Sequence, residues 1–417
     1  MRVLLINPNR YHFPPVLPVG IEYLAGSLTS HGKDFFVLDL CFSENPENEL
    51  LQTLESCHPD IAAISVRQTD TVLYHQNEFM LPGIRNFTGI CKSQGCITVL
   101  GGSGFSIMPE EIMEYTNADF GIYGPGEYSF IKLINFIDNG QCKEKILNGY
   151  ADFPSSTQDY QREIVSDYSS YLKNDGVVGF RTQIGCDGKC IFCTEADKRI
   201  IFHNPEKIGR EIAMIKKTGY QDFHLCDSEF NLNIRHCIEV CKAIKDISGP
   251  VRWALYMKPE PFNEDLFYWL HQSGADRLTL SMDTLDTSNH YLRMIRDLLL
   301  LANRHHLKVA IDLSTGLPYE DIQNAQKMIN FLDRQPVRTV GVNFFYRVYP
   351  GTGLYHMIRH DAGLQRFLIR SSENESFLYP VFFNCFDISK MTRLVKKRKK
   401  FRIEGFEKAT NYQRLGK

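Results

Sequence analysis

Short apolar runs and amphipathic stretches alternate along residues 1–140. Runs rich in β-branched residues at Val3–Ile6, Phe35–Leu38, Ile61–Val66, Ile97–Leu100 and Phe120–Tyr123 read as strands, and Ile21–His31 and Pro109–Tyr115 between them as helices. Strands that are apolar throughout and separated by helices predict a parallel sheet covered on both faces. Ligands bind such sheets outside the carboxyl ends of the strands. The segments there, Pro8–Gly20, Ser65–Asp70, Gly101–Phe105 and Gly124–Glu127, are rich in Gly, Pro and small polar residues, which lets backbone approach a large ligand closely. The pattern lapses over 141–177, where the turn-rich Ala151–Asp159 marks an expected linker. It resumes at Val178, with strands expected at Phe180–Ile184, Asp222–Cys226, Val251–Tyr256, Arg277–Met282, Lys308–Leu313 and Val340–Val348, and helices such as Pro205–Thr218 and Arg235–Ile247 between them. Six βα units in so short a stretch predict a partial (β/α)6 barrel, with its chemistry again at the carboxyl ends of the strands. The expected fold is therefore α/β: a doubly wound, Rossmann-like domain over 1–140, a linker over 141–177, a partial barrel over 178–352 and a short C-terminal extension over 353–417.

Composition narrows the class. With 417 residues, 43% apolar and 23% charged, the chain is of globular make-up and long enough for two or three domains, which excludes disorder, collagen-like repeats and coiled coil for the whole. A net charge of −2 argues against attachment to nucleic acid or anionic membrane by bulk charge. No apolar run approaches the ~18 residues of a membrane span. The first apolar run is too short for a secretory signal, so a cytoplasmic location is expected. Lys396–Lys400, flanked by Arg393 and Arg402, reads as a solvated helix face or frayed end, with phosphate or nucleic-acid binding as the alternative. Phe377–Phe383 reads as a core strand, with a lid or wall over a substrate as the alternative.

Three of the twelve cysteines stand together as Gly185-Cys186-Asp187-Gly188-Lys189-Cys190-Ile191-Phe192-Cys193, a C-x3-C-x2-C pattern just past the first strand of the second region. Thiolates are soft ligands, suited to iron–sulfur clusters or zinc. Gly185 and Gly188 are expected to supply the bends that fold three sulfurs around one centre. Clusters normally take four thiolates, and three leave one iron open to a small molecule. The alternative is zinc with His203 as fourth ligand, although the second paired spacing of structural zinc sites is missing.

The cysteine pattern resembles the signature of the radical S-adenosylmethionine (SAM) enzymes. Further elements match in order: Phe223–Asn233 resembles the "DDxFxxN" segment, Leu313–Glu320 the "GLPxE" element and Tyr346–Thr352 the "xPYPGT" element, together spanning roughly 178–360. The resemblance implies a [4Fe–4S] cluster on Cys186, Cys190 and Cys193, with SAM on the open iron and gripped by Asp227, Glu229, Ser281 and Asp283. One electron would cleave SAM to a 5′-deoxyadenosyl radical that abstracts a substrate hydrogen. Glu320, Asp312 and Tyr349 are candidates for a general base.

The first region resembles the cobalamin-binding domain that precedes many radical SAM barrels. The resemblance rests on Asn7-Pro8-Asn9 with Leu17–Gly20, on Ile64–Asp70, on Gly101–Ser106 and on Gly124–Glu127. It implies corrin contacts from Pro18, Gly20, Ser65, Arg67, Gly101, Gly102, Ser103, Gly104, Gly124, Gly126 and Glu127. The D-x-H-x-x-G motif that gives cobalt a histidine elsewhere is absent: after the second strand the chain reads Asp39-Leu40-Cys41-Phe42-Ser43-Glu44. Arg67 is expected near the lower face of the corrin, or else paired with Asp70 or a corrin side chain. Both resemblances together imply a cobalamin-dependent radical SAM methyltransferase acting on carbon or phosphorus of a small-molecule or peptide substrate. A flavodoxin- or ferredoxin-like electron donor is implied as well, while membrane and nucleic-acid partners are not expected. The same parts would also serve a non-methylating rearrangement or cyclisation. The rival of another class is a non-catalytic, zinc-stabilised RNA-binding module.

Overall fold

A computed structural model of the chain describes residues 1–140, 144–154, 160–370, 374–396 and 398–406. The chain divides into two compact units, one of Met1–Thr71 with Asn77–Val178, the other of Val72–Gln76 with Gly179–Lys417.

The first unit is built on β1 (Val3–Asn7), β2 (Phe35–Asp39), β3 (Ile61–Ser65), β4 (Ile97–Gly101), β5 (Phe120–Tyr123) and β6 (Ile146–Asn148). They form one parallel sheet in the order β2-β1-β3-β4-β5-β6. Between strands run α1 (Val19–Ser30), α2 (Pro46–Cys57), α3 (Leu81–Ser93), α4 (Pro109–Thr116) and α5 (Glu127–Asp138). Local chemistry sets their ends: α2 starts where Asn45 accepts the Asn48 N–H and Pro46 occupies the first turn, and it stops at His58 in the left-handed region. The alternation of strand and helix buries one apolar layer: Val3, Leu5, Ile61, Ala63 and Val99 of the sheet meet Ile21, Ala25 and Leu28 of α1 and Phe130 and Ile134 of α5. Because β1 lies between β2 and β3, the chain reverses direction of travel there, and the crevice outside the ends of β1 and β3 is the place such sheets offer to ligands.

The stretch expected as a linker is part of this unit. Residues 155–159 lie outside those described, but β6 extends the sheet, and Tyr160–Val178 returns across α1. There Arg162 Nη2 meets Glu22 Oε2 at 2.6 Å with both side chains fully buried, and Tyr168 Oη donates to the same oxygen at 2.8 Å. Val177 exchanges backbone bonds with Pro15 and Leu17.

The second unit carries β7 (Val178–Phe180), β8 (Gln183–Ile184), β9 (Ile201–Phe202), β10 (Asp222–Leu225), β11 (Arg252–Met257), β12 (Ala275–Asp283), β13 (Lys308–Ser314), β14 (Thr339–Asn343), β15 (Tyr346–Arg347), β16 (Leu368–Arg370), β17 (Val381–Phe383) and β18 (Phe401–Ile403). Its main sheet has the order β18-β14-β13-β12-β11-β10-β7, parallel from β10 to β18 and not closed into a barrel. The strand expected over Phe180–Ile184 splits, since β8 leaves the sheet to pair with β9. Phe377–Phe383 supplies β17, buried in the middle of a three-stranded antiparallel sheet between β15 and β16, which is the core-strand reading.

Within the basic run Lys396 and Lys399 are exposed, as on a solvated face, whereas Arg398 and Lys400 are half-buried and held. Arg398 pairs with Asp333 at 2.5 Å, and Lys400 Nζ donates to the carbonyls of Asp333 and Gln335 at 3.0 and 2.8 Å, neutralising the end of the helix Ile322–Asp333. These contacts lead the chain into β18, the seventh strand. Lys397 and residues from 407 onward lie outside the described residues. Residues 72–76 also pack here: the Tyr74 and His75 N–H groups donate to Gly405 and Phe406, and the Tyr74 ring stacks on Phe345 at 4.2 Å.

Candidate functional site

In the first unit the ends of β3, β4 and β5 converge. Gly102 has φ of 97°, and a Cβ there would meet Val66 O at 2.7 Å and Ser65 Oγ at 3.1 Å, so only glycine lets the loop after β4 lie against the loop after β3. The Gly104 N–H donates to Val66 O at 2.8 Å, Ser103 Oγ to Arg67 O at 2.8 Å, and the Gly124 N–H to Ser106 Oγ at 2.9 Å. Ser65, Arg67, Gly101, Gly102, Ser103, Gly104 and Gly124 are thus brought together.

Arg67 donates to Gln68 Oε1 at 3.2 Å, and its charge acts on Tyr11 beyond β1 and Cys41 beyond β2, which puts the guanidinium toward the crevice at the sheet's switch point. Pro18 precedes α1, and Gly20 lies in its first turn. Gly126 caps α5. At Gly20 and Gly126 an added Cβ would reach open space, so bare backbone faces outward at both helix starts. Glu127 is different: it is sealed where α5 packs on α1, with Ser27 Oγ donating to its carbonyl at 2.5 Å. Its expected role at the corrin has no support from this position. Glycine turns, small hydroxyls and one guanidinium around an open crevice fit a large planar ring held by shape and backbone contact, as cobalamin requires.

One network here was not legible from the sequence. Asp39 accepts from Asn7 Nδ2 at 2.7 Å, Tyr171 Oη at 2.8 Å and the Cys41 N–H at 3.1 Å, while burial raises both the Asp39 carboxyl and the Tyr171 phenol above their ordinary ranges. Tyr171 comes from the stretch read as a linker.

In the second unit the cysteine loop follows β8. Gly185, at φ of 83°, turns the chain with its Cα against Arg199 O, which would stand 2.1 Å from a Cβ. Gly188 serves by space instead, since a Cβ there would lie 3.2 Å from Cys186 Sγ. The loop is closed by the Lys198 N–H on Cys186 O and the Asp197 N–H on Gly188 O, both at 2.9 Å. The N–H groups of Gly188 and Glu195 point at Cys186 Sγ and Cys193 Sγ at 3.4 Å, the kind of donor that stabilises thiolate sulfur. The Leu354 N–H donates to Ile191 O at 2.7 Å, and the Phe192 ring lies 5.0 Å from that of Tyr346, so the segment resembling "xPYPGT" seats the loop. Burial raises all three thiols, Cys193 to about 11, and each is further raised by a neighbouring thiol or carboxylate.

Among the described residues no three His, Cys, Asp or Glu side chains converge as ligands of a single ion would. Three thiolates on one short loop, two of them receiving backbone N–H groups, are a ligand set for a cluster with one iron left open. His203, the fourth ligand zinc would need, is buried instead beside Arg181, His236 and Lys207.

Of the residues expected to grip SAM, three come together. Glu229 is hydrogen-bonded to Ser281, and burial raises its carboxyl to about 7. The charges of Glu229 and Asp283 both act on Cys190, which puts them near the cysteine loop. Asp283 also takes the Leu285 N–H at 3.0 Å. Asp227 stands differently: its oxygens accept the Thr182 N–H at 2.8 Å, the Thr182 hydroxyl and the Gln183 N–H at 3.3 Å, so it braces the start of the cysteine loop. Glu320 caps its own turn through Oε2, which accepts the Gly316 and Leu317 N–H groups at 2.7 and 3.0 Å, while its buried Oε1 has no protein partner.

Comparison with known proteins agrees with both halves. The B12 binding domain family matches residues 14–134 and the radical SAM superfamily residues 180–332. A tryptophan 2-C-methyltransferase of Streptomyces laurentii is 23% identical over 441 residues, covering 84% of this chain and 73% of that protein. A cytidylyl-2-hydroxyethylphosphonate methyltransferase of Streptomyces wedmorensis is 20% identical, covering 68% of this chain and 65% of that protein. The solved structure of the radical SAM methyltransferase TsrM from Kitasatospora setae, with cobalamin and a [4Fe–4S] cluster bound, superposes with a TM-score of 0.84 at 19% identity, covering 96% of this chain and 92% of that one. At this identity the likeness establishes the fold. A B12-binding domain followed by a radical SAM domain in one polypeptide makes this chain a member of the cobalamin-dependent radical SAM enzymes.

Proposed function

We propose that the chain is a methyltransferase that moves a methyl group from SAM by way of methylcobalamin to carbon or phosphorus of a small molecule or peptide. The observation that carries this reading is the pairing, in one chain, of a three-thiolate loop that leaves one iron open with a glycine-lined crevice suited to a corrin. Two similar proteins that cover two thirds or more of this chain are named a tryptophan 2-C-methyltransferase and a cytidylyl-2-hydroxyethylphosphonate methyltransferase, which supports methyl transfer over rearrangement. When bound, the three groups supply a one-electron route into SAM and a methyl donor for centres that ordinary nucleophilic transfer does not reach.

The residues divide the work. Cys186, Cys190 and Cys193 hold the cluster, with the Gly188 and Glu195 N–H groups supporting two of the sulfurs. Glu229, Ser281 and Asp283 offer polar contacts to SAM. Ser65, Gly101, Gly102, Ser103, Gly104 and Gly124 form the corrin rim, with Pro18, Gly20 and Gly126 at the neighbouring helix starts. Arg67 would sit at the corrin, its cation opposing a competing ligand of cobalt or pairing with a corrin side chain. An external low-potential protein such as flavodoxin or ferredoxin supplies electrons.

The test is anaerobic production with cobalamin supplied, followed by metal analysis and turnover with SAM deuterated in its methyl group. About four iron and one cobalt per chain are expected, with intact CD3 found in cobalamin and then in a product of a candidate substrate. Zinc without iron or cobalt would overturn the reading, and iron without cobalt would remove the case for methyl transfer.

A further inference from the structure

The cysteine loop carries an acidic residue that ties it to the rest of its unit. Asp187 follows Cys186 in the chain, and its Oδ1 lies 3.0 Å from Lys258 Nζ, one residue past β11. The lysine is well anchored at its base. Its N–H donates to Asn231 Oδ1 at 2.9 Å, and Asn231 Nδ2 returns bonds to Lys258 O at 3.0 Å and Pro261 O at 2.7 Å. Asn231 is completely buried, so one amide fixes the backbone from which Lys258 reaches.

Ion pairs this open to water contribute little to stability, too little for this pair to matter much as a brace. Its surroundings suggest a different use. Glu229, Asp187 and Asp283 are the carboxylates that weigh on Cys186 and Cys190, and Lys258 is the cation that opposes them at both thiols and at Glu229. Three thiolates among these carboxylates form an anionic place, and an added electron makes it more so. Net charge near a cluster is one of the properties that set its potential. A cation at short range stabilises the more negative state, and partial exclusion of water strengthens its influence.

We infer that Lys258, anchored by Asn231 and paired with Asp187, is a positioning residue whose charge raises the reduction potential of the cluster on Cys186, Cys190 and Cys193. This rests on the cluster reading above. The step it governs is a one-electron transfer: an external low-potential donor is oxidised by one electron, and the cluster passes from the 2+ to the 1+ state.

The test uses the full chain loaded anaerobically with iron and sulfide, in a redox titration followed by the electron paramagnetic resonance of the reduced cluster. Lys258→Gln, with iron content unchanged, is expected to shift the reduction equilibrium about three- to tenfold toward the oxidised state, tenfold being ~59 mV for one electron. Lys258→Arg restores the original midpoint, and Asp187→Asn moves it the opposite way. An unchanged midpoint in Lys258→Gln, or shifts of the same sign in Lys258→Gln and Asp187→Asn, would overturn the inference and leave the pair a tether. Should Lys258→Gln fail to load iron, the sign of the Asp187→Asn shift decides alone. Unmutated protein that takes up no iron would end the cluster reading itself, a separate failure.

Discussion

At the end of β10 two carboxylates stand two residues apart and meet different surroundings. Asp227 is buried, and its oxygens are occupied by Thr182 and Gln183. Glu229 shares a bond with Ser281 and keeps Oε2 without a protein partner. Burial lifts both to about 7, with hydrogen bonds pulling each down in part. Their sequence context, Cys226-Asp227-Ser228-Glu229, gives no means of telling a brace from a ligand, because the difference lies in Thr182 and Ser281, far away in the chain. Asp227→Ala should cost about 1–3 kcal/mol of stability, the penalty for leaving buried donors unmet. Thermal unfolding is expected to register that loss, whereas SAM affinity measured by calorimetry on folded, iron-loaded protein should change less than in Ser281→Ala. The reverse order would return Asp227 to the SAM site.

Elements that periodicity predicts are those whose burial is one-sided and local. β1 to β5 and the helices between them follow the apolar pattern within a residue or two, because an apolar strand covered by helices reads the same from any neighbour. The segment after α5 lacked such a pattern, yet it is held by a buried polar device. Glu22 and Arg162 meet 140 positions apart, and the backbone of Gln161 passes so close to Gly26 that its oxygen would stand 1.7 Å from a Cβ. Breaking one partner of a buried pair leaves an uncompensated charge, so Arg162→Met should destabilise the protein by about 3–5 kcal/mol. The double variant Glu22→Leu with Arg162→Met should recover most of it, since an apolar pair of similar volume has no charge to desolvate. Denaturant unfolding of the single and double variants checks both, and equal losses in the two would show that the charges themselves are not what matters.

For the whole molecule, each unit carries its own core, and the residues proposed for each cofactor fall in one unit, so the two cofactors should load independently. Cys186→Ala, Cys190→Ala and Cys193→Ala combined should abolish iron while leaving about one cobalt per chain, because every residue assigned to the corrin lies in the first unit. Metal analysis of the triple variant decides it, and joint loss of iron and cobalt would contradict it. The two α/β regions, the cysteine loop and the order of glycine turns were legible because each depends on local spacing or on neighbours in the chain. What belongs to tertiary structure is the rest: that 141–177 completes the first unit, that the basic run feeds a seventh strand, that Asp227 braces, and that Lys258 faces the cysteine loop. A lone lysine after a strand or an arginine in a turn-rich stretch has no periodicity to betray it. Its role is set by a charge or a carbonyl that only folding brings within a few ångströms.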